Sequence, residues 1–292
     1  MPLQKIQFAP GVDKEGTEYT ADSGWFDSDK IRFRKGRPEK IGGWTKFNNT
    51  AFFGVCRSIF AWASLEAIKY VGLGTNLKFY VMEGISPNDI TPLRLTTSAG
   101  DVTFSATNGS STITITDTAH GAVQTDFVTF SGAATLGGNI TATVLNQEYQ
   151  IVSVPDANSF TITAKDTSGT TVTANGSDTG NGGGSTVGAY QINTGLNDYV
   201  SAAGWGASPW SSGTWGGASA LSVSGQLRLF SQDNFGEDLV FNVRNGGIFY
   251  WDESGGVTAR GVNITDLGGA SNCPTVSAQI LVSDNDQHVV AF

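Results

Sequence analysis

Runs with helical periodicity are nearly missing from this 292-residue chain, and so are most residues on which catalysis and covalent cross-linking depend. The two cysteines, Cys56 and Cys273, lie far apart without CxxC spacing, which argues against a disulfide framework and a zinc site. Free, mostly buried thiols are expected, as in a protein made in a reducing cytosol. The two histidines are His120, which precedes Gly in a turn and is expected to be exposed and inert, and His288, which opens the last strand. Neither has a Ser or Cys partner readable from the sequence, so nothing suggests a hydrolase triad. The opening Met1-Pro2-Leu3-Gln4-Lys5 has no apolar signal-peptide core, and no run approaches the ~18 apolar residues of a membrane helix. Walker A and Rossmann motifs are missing. Gly182-Gly183-Gly184 sits in a Ser/Gly-rich stretch without the strand-to-helix setting a phosphate loop needs. No cofactor is expected.

What the chain has is 38 glycines and abundant Thr, Ser and Asn among strand-like runs, with only 15% charged residues. That profile is all-β with many turns. The formal net charge of −9 is unevenly spread: 1–95 carries +3, while 96–190 and 191–292 carry −6 each. A nucleic-acid binder shows a basic footprint over its binding domain. The acidic remainder here disfavours binding DNA, though not tolerating its passage.

The basic residues gather in one stretch, Gly24 to Trp44, which holds Lys30, Arg32, Arg34, Lys35, Arg37 and Lys40 between Trp25 and Trp44. Strand alternation puts Lys30, Arg32 and Arg34 on one face and Ile31 and Phe33 on the other. Lys35-Gly36-Arg37-Pro38 reads as a tight turn, with Glu39 to Ile41 returning as a second strand. The cationic face is either solvated or a docking surface for an acidic neighbour.

The run FAPGVDKEGTEYTADSGWFDSDKIRFRKGRPEKIGGW, Phe8 to Trp44, resembles the N-terminus of tail structural proteins of tailed bacteriophages. More specifically it resembles the group that builds the nozzle or hub below the portal of short-tailed phages. The rest of the chain follows by pattern only. The resemblance implies a β-propeller-bearing subunit assembled into a ring, a hexamer. It implies partners in further copies of the chain and in the portal or adaptor and tail fibre proteins. DNA would be met only in passing. It also implies synthesis in the host cytoplasm and residence in the virion tail. Such proteins are often longer, so the 292 residues are expected to be part of a larger product.

Residues 1–22 read as an extended arm, because Pro10 and Gly11 oppose a helix. Residues 23–95 form the first part of a propeller-like domain. Its strands include Arg57 to Ala63 and a hairpin about Gly74-Thr75-Asn76. YVGLGTNLKFYVMEG and LVFNVRNGGIFYWDES form a weak internal repeat in which Phe79-Tyr80 answers Phe249-Tyr250, as propeller blades would. A generic β-sandwich with similar hairpins is the alternative. Residues 96–190 differ in composition and alternate strongly, as in Thr112 to Thr116 and Phe160 to Thr163. They read as an inserted small β-barrel or sandwich that leaves through a flexible linker, Ser177 to Ser185. Residues 191–292 complete the propeller-like part, with strands at Gln226 to Ser231 and Ser277 to Ser283. The closing run His288 to Phe292 could pair with an N-terminal strand or lie mid-domain.

The expected fold is therefore all-β: a propeller-like domain interrupted by a small β-barrel or sandwich, with an extended N-terminal arm. Candidate interface residues are Arg32, Arg34 and Arg37, with Trp205, Trp210 and Trp215. Those tryptophans recur every five residues in a Gly/Ser loop and must pack, either under their own domain or against a subunit. Glu237, Asp238, Asp252 and Glu253 flank one hairpin's open end and are candidates for a channel wall that repels phosphate. They could equally serve solubility alone. Asp284-Asn285-Asp286 reads as an Asx turn without EF-hand spacing. The functional expectation is a non-enzymatic part of the DNA-ejection conduit. A host-glycan-binding tail adhesin is the alternative, and a glycan depolymerase would need paired carboxylates in a cleft.

Overall fold

The computed structural model describes residues 9–17, 19, 24–43, 45–46, 49–195, 229–270, 272–283, 286 and 288–292. The fold is all-β, with one single-turn helix, α1 (Ala142–Leu145), and two short 3-10 turns among the described residues. The chain divides into two compact units, Met1–Asn49 and Thr50–Phe292. The basic hairpin falls in the first of these units, with the N-terminal stretch.

In the first unit, β1 (Ile31–Arg34) pairs antiparallel with β2 (Arg37–Lys40), Arg34 opposite Arg37. The turn is Lys35-Gly36 alone, both at positive φ, which suits the twist of a two-residue hairpin. Pro38 therefore lies in the second strand, where a two-stranded ribbon tolerates its missing N–H. Lys30 stands outside β1 at φ 57° and does not continue the cationic face. Of the expected arm, residues 1–8, 18 and 20–22 lie outside the described residues. Val12 bridges Trp25.

The second unit opens with a four-stranded antiparallel meander: β3 (Cys56–Ala63), β4 (Lys69–Thr75), β5 (Phe79–Glu83) and β6 (Ser86–Asp89). Eight strands follow: β7 (Leu93–Thr96), β8 (Thr103–Ala106), β9 (Thr112–Thr116), β10 (Phe127–Ser131), β11 (Glu148–Gln150), β12 (Ser153–Asp156), β13 (Ser159–Thr163) and β14 (Val187–Gln191). They form two four-stranded sheets, ordered β11-β10-β14-β7 and β12-β13-β9-β8. This is a sandwich; no closed barrel exists among the described residues. A second meander follows, β15 (Phe230–Phe235), β16 (Asp238–Val243), β17 (Ile248–Trp251) and β18 (Val262–Asn263). The strand expected from Gln226 begins at Phe230 within the described residues. The hairpin β19 (Ile280–Ser283) and β20 (His288–Ala291) comes last, so the closing strand pairs with β19 and not with an N-terminal strand.

Two large cores explain this arrangement. Alternation sends Ile113, Ile115, Phe160 and Ile162 inward, where they pack with Phe104, Phe130 and Tyr190 between the sandwich sheets. The two meanders share the other core, built on Trp62, Tyr70, Phe79, Phe241, Phe249 and Trp251. Phe79 stacks on Phe241 with centroids 4.0 Å apart. The sheets approach closely because β4 carries Gly72 and Gly74: a Cβ at Gly74 would lie 2.4 Å from the Phe230 ring. The sequence repeat maps onto strands two and three of each meander, with Phe79 on β5 and Phe249 on β17.

Three local expectations are corrected. His120 is buried, not exposed: its ring lies 5.0 Å from Phe160, and its Nδ1 accepts the Ala122 N–H at 3.0 Å. Cys56 is exposed and Cys273 half-exposed, because Cys56 sits at the start of β3 on an open face. The Ser177 to Ser185 stretch is not a flexible linker. It lies against the sandwich through Gly180 N–H to Leu136 O at 2.8 Å and Ala134 N–H to Gly182 O at 2.7 Å. Asp178 anchors its start by accepting from the Asn175 and Ile140 N–H groups. Burial pushes the Asp178 carboxyl up, but these and neighbouring backbone N–H groups outweigh it and hold the group below the usual carboxylate range.

Candidate interaction surfaces

Alternation on the hairpin leaves Arg32 and Arg34 exposed on β1, and Arg37 is exposed on β2. Arg32 Nε donates to Glu39 Oε2 at 3.3 Å. Arg34 and Arg37 face each other across the strands, where like charges repel, and neither has an ion-pair partner among the described residues. On the other side, the Trp25 and Phe33 rings lie 6.3 Å apart. One face of the hairpin thus gathers Arg32, Arg34, Arg37 and Glu39, the other Ile31, Phe33, Pro38 and Lys40, and the Arg34/Arg37 pair is left unneutralised among the described residues.

Trp205, Trp210 and Trp215 lie outside the described residues, as does Asp284.

Glu237, Asp238, Asp252 and Glu253 do gather at the β16–β17 end, where Leu239 pairs with Trp251. Three of them work as braces. Glu237 Oε1 accepts the Leu65 N–H at 2.6 Å, and its carbonyl accepts Trp62 Nε1 at 2.8 Å. Glu253 Oε1 accepts the Tyr70 hydroxyl at 2.7 Å, tying the second meander to the first. Asp238 accepts the Tyr250 hydroxyl and the Glu253 N–H. Asp252, exposed, caps the following 3-10 turn through Ser254. Burial, then the carboxylate each hydroxyl donates to, pushes Tyr70 and Tyr250 far above the ordinary phenol range.

A third constellation was not anticipated. Lys78, directly before β5, has a side chain only 3% exposed. Its Nζ donates to Asp89 Oδ2 at 2.7 Å and to Glu148 Oε1, and lies 4.4 Å from the Phe127 ring centroid. Arg260 approaches both carboxylates, at 3.7 Å from Asp89 and 3.9 Å from Glu148, and donates to Thr91 O at 2.7 Å. Gln191 Nε2 donates to Glu148 Oε2 at 2.8 Å. Two cations and two anions thus join three parts of the fold: the first meander, the sandwich through Glu148 and Gln191, and the Arg260 loop beyond β17. Burial pushes Asp89 up, but the Lys78 charge and the hydrogen bonds from Lys78 and Thr91 win and hold it below the usual range. The available signal was Lys78 itself, a lone cation in the apolar run Leu77-Lys78-Phe79-Tyr80-Val81.

Beside this cluster an open cleft of about 730 Å³ runs along β11, with Phe53, Gln147, Gln150 and Lys165 in its wall. No metal-holding group of three or more His, Cys, Asp or Glu occurs among the described residues, and none of their helices is long and apolar enough to cross a membrane.

No family model matches the chain, and no curated protein matches it. Among solved structures it is similar to the phage phi92 endosialidase, at 16% identity and a TM-score of 0.23 over 72% of this chain. The chain spans 28% of that protein's length. A superposition this loose transfers neither fold nor activity.

Proposed function

We propose that this chain is a non-enzymatic structural protein of a bacteriophage tail, assembling with copies of itself into a ring below the portal. In the virion tail such a ring, a nozzle or hub, forms part of the path by which DNA leaves. It contacts the portal or adaptor above and fibre proteins at its side. The observation that carries this reading is the Phe8 to Trp44 run, whose hairpin presents Arg34 and Arg37 without an ion-pair partner among the described residues. A chain of net charge −9 with one cationic face has an acidic surface to offer a neighbouring copy. The stacked antiparallel meanders suit propeller blades; of the four carboxylates at the β16–β17 end, Asp252 is the exposed one that a conduit wall would use, while Glu237, Asp238 and Glu253 brace the meanders.

The test is the double charge reversal Arg34→Glu/Arg37→Glu, followed by light scattering on the eluting protein. The expected result is loss of the assembled species with an unchanged circular dichroism spectrum. Normal assembly of the variant would reduce the hairpin to a solvated face. A monomeric wild-type chain that binds host-cell glycan would favour the adhesin reading.

A further inference from the structure

The cleft beside the Lys78 cluster, about 730 Å³, is in the size range of sites that hold small ligands. Its charges are spent within the fold. Glu148 is committed to Lys78 and Gln191, and Asp166 accepts the Ser168 and Thr170 N–H groups of its own turn. Lys165 is the remaining cation in the wall and offsets Asp166, so no net charge is left to select an ion of either sign.

What the cleft offers is amide groups and one aromatic ring. Gln124, Gln147 and Gln150 line it. Gln147 Nε2 donates to the carbonyls of Thr143, Val144 and Lys165, which fixes the amide and leaves its Oε1 without a donor among the described residues. Gln150 Nε2 reaches Thr125 O at 3.3 Å, and Gln124 is exposed. Phe53 borders the cleft and is 60% exposed. Its backbone is pinned: the N–H donates to the Tyr80 hydroxyl at 3.0 Å, and the carbonyl accepts the Thr75 hydroxyl at 2.9 Å. Packing on Phe127, 5.9 Å away, uses part of the ring and leaves the rest open.

We propose that this cleft binds a short uncharged oligosaccharide. A pyranose has an apolar C–H face and a rim of hydroxyls that both donate and accept. An aromatic face, negative at its centre, attracts the C–H groups, and glutamine amides donate and accept in turn. Phe53 supplies the stacking face and the three glutamines the bonds to hydroxyls. An added peptide strand fits less well, because β11, though the edge of its sheet, is three residues long and offers few main-chain bonds. One copy carries the whole site, so the inference does not depend on the ring reading.

The test applies the full chain, detected through an affinity tag, to a printed array of neutral and acidic oligosaccharides. Wild type is compared with Phe53→Ala, with Gln124→Ala/Gln150→Ala and with Phe52→Ala. Phe52 lies outside the cleft, its ring 6.1 Å from Tyr80. Wild type and Phe52→Ala are expected to bind the same neutral glycans. Phe53→Ala and the double glutamine variant are each expected to weaken that binding at least about tenfold, with unchanged circular dichroism spectra. No binding to any glycan, binding confined to acidic glycans, or binding that survives both cleft variants overturns the proposal. Light scattering on the same preparations reports assembly separately. A monomer that binds defeats the ring reading alone, and an assembled chain that binds nothing defeats this one alone.

Discussion

Lys78 shows most directly how single residues hold the parts of this protein together. Removing a buried ammonium from between two carboxylates leaves the more distant Arg260 as their nearest cation, with neutral hydrogen bonds from Thr91 and Gln191. Breaking one partner out of such a buried cluster typically costs about 3–5 kcal/mol. Lys78→Met, which keeps much of the volume, is expected to lose about that much in urea unfolding at neutral pH. The pH dependence has a definite sign. Asp89 is held below its unfolded value of ~3.9, so its contribution is fully present above that value and fades as pH falls through the folded one. The gap between wild type and Lys78→Met should therefore hold down to about pH 4 and narrow as the pH falls below it; a constant gap would mean that Lys78 acts by packing alone. This cluster was not legible beforehand. Glu148 and Lys78 lie 70 residues apart, and no local pattern pairs them. The burial of His120 escapes the sequence for a related reason. A His-Gly dipeptide signals a turn, but not that Phe160 and Tyr190 will enclose the ring.

At the scale of elements, strands were far more legible than the segments between them. Thr112 to Thr116 and Phe160 to Thr163 announce their inner and outer faces by alternation, and the structure pairs Ile113 with Ile162 and Ile115 with Phe160. The Ser177 to Ser185 stretch shows the limit of composition. Its glycines suggest flexibility, yet Gly182 is required by contact: its φ is +87°, and a Cβ there would lie 2.4 Å from the Phe104 ring. Gly182→Ala is expected to destabilise the protein by about 2 kcal/mol or more through backbone strain and overpacking together. Gly184→Ala, with ordinary φ and open space at the Cβ, should change stability by less than about 0.5 kcal/mol. Similar effects at both positions in thermal unfolding would contradict the close-packed account.

For the whole molecule, the internal repeat and the composition shift near residue 96 were both visible in the chain, and both have structural counterparts in the meanders and the sandwich. What could not be read was the stacking of one meander on the other, because the Phe79–Phe241 contact joins residues on opposite sides of the sandwich. Excising 96–188 and joining the ends with a short linker should leave a remainder that still unfolds cooperatively in urea, with a lowered midpoint from the loss of Glu148. A remainder with no cooperative transition would show that the meanders depend on the sandwich to fold. The pairing of Leu93 with Gln191 bears on how the chain finds this structure in time. The meanders are separated by roughly 140 residues, but once β7 and β14 zip together the separation they must close falls to roughly 40, sparing about 1 kcal/mol of loop entropy. Once formed, the sandwich acts as a splice between the two meanders, each of which is built from consecutive hairpins. The slow step would then be the docking of two preformed sheets, and its rate would fall with any change that keeps β7 and β14 from pairing.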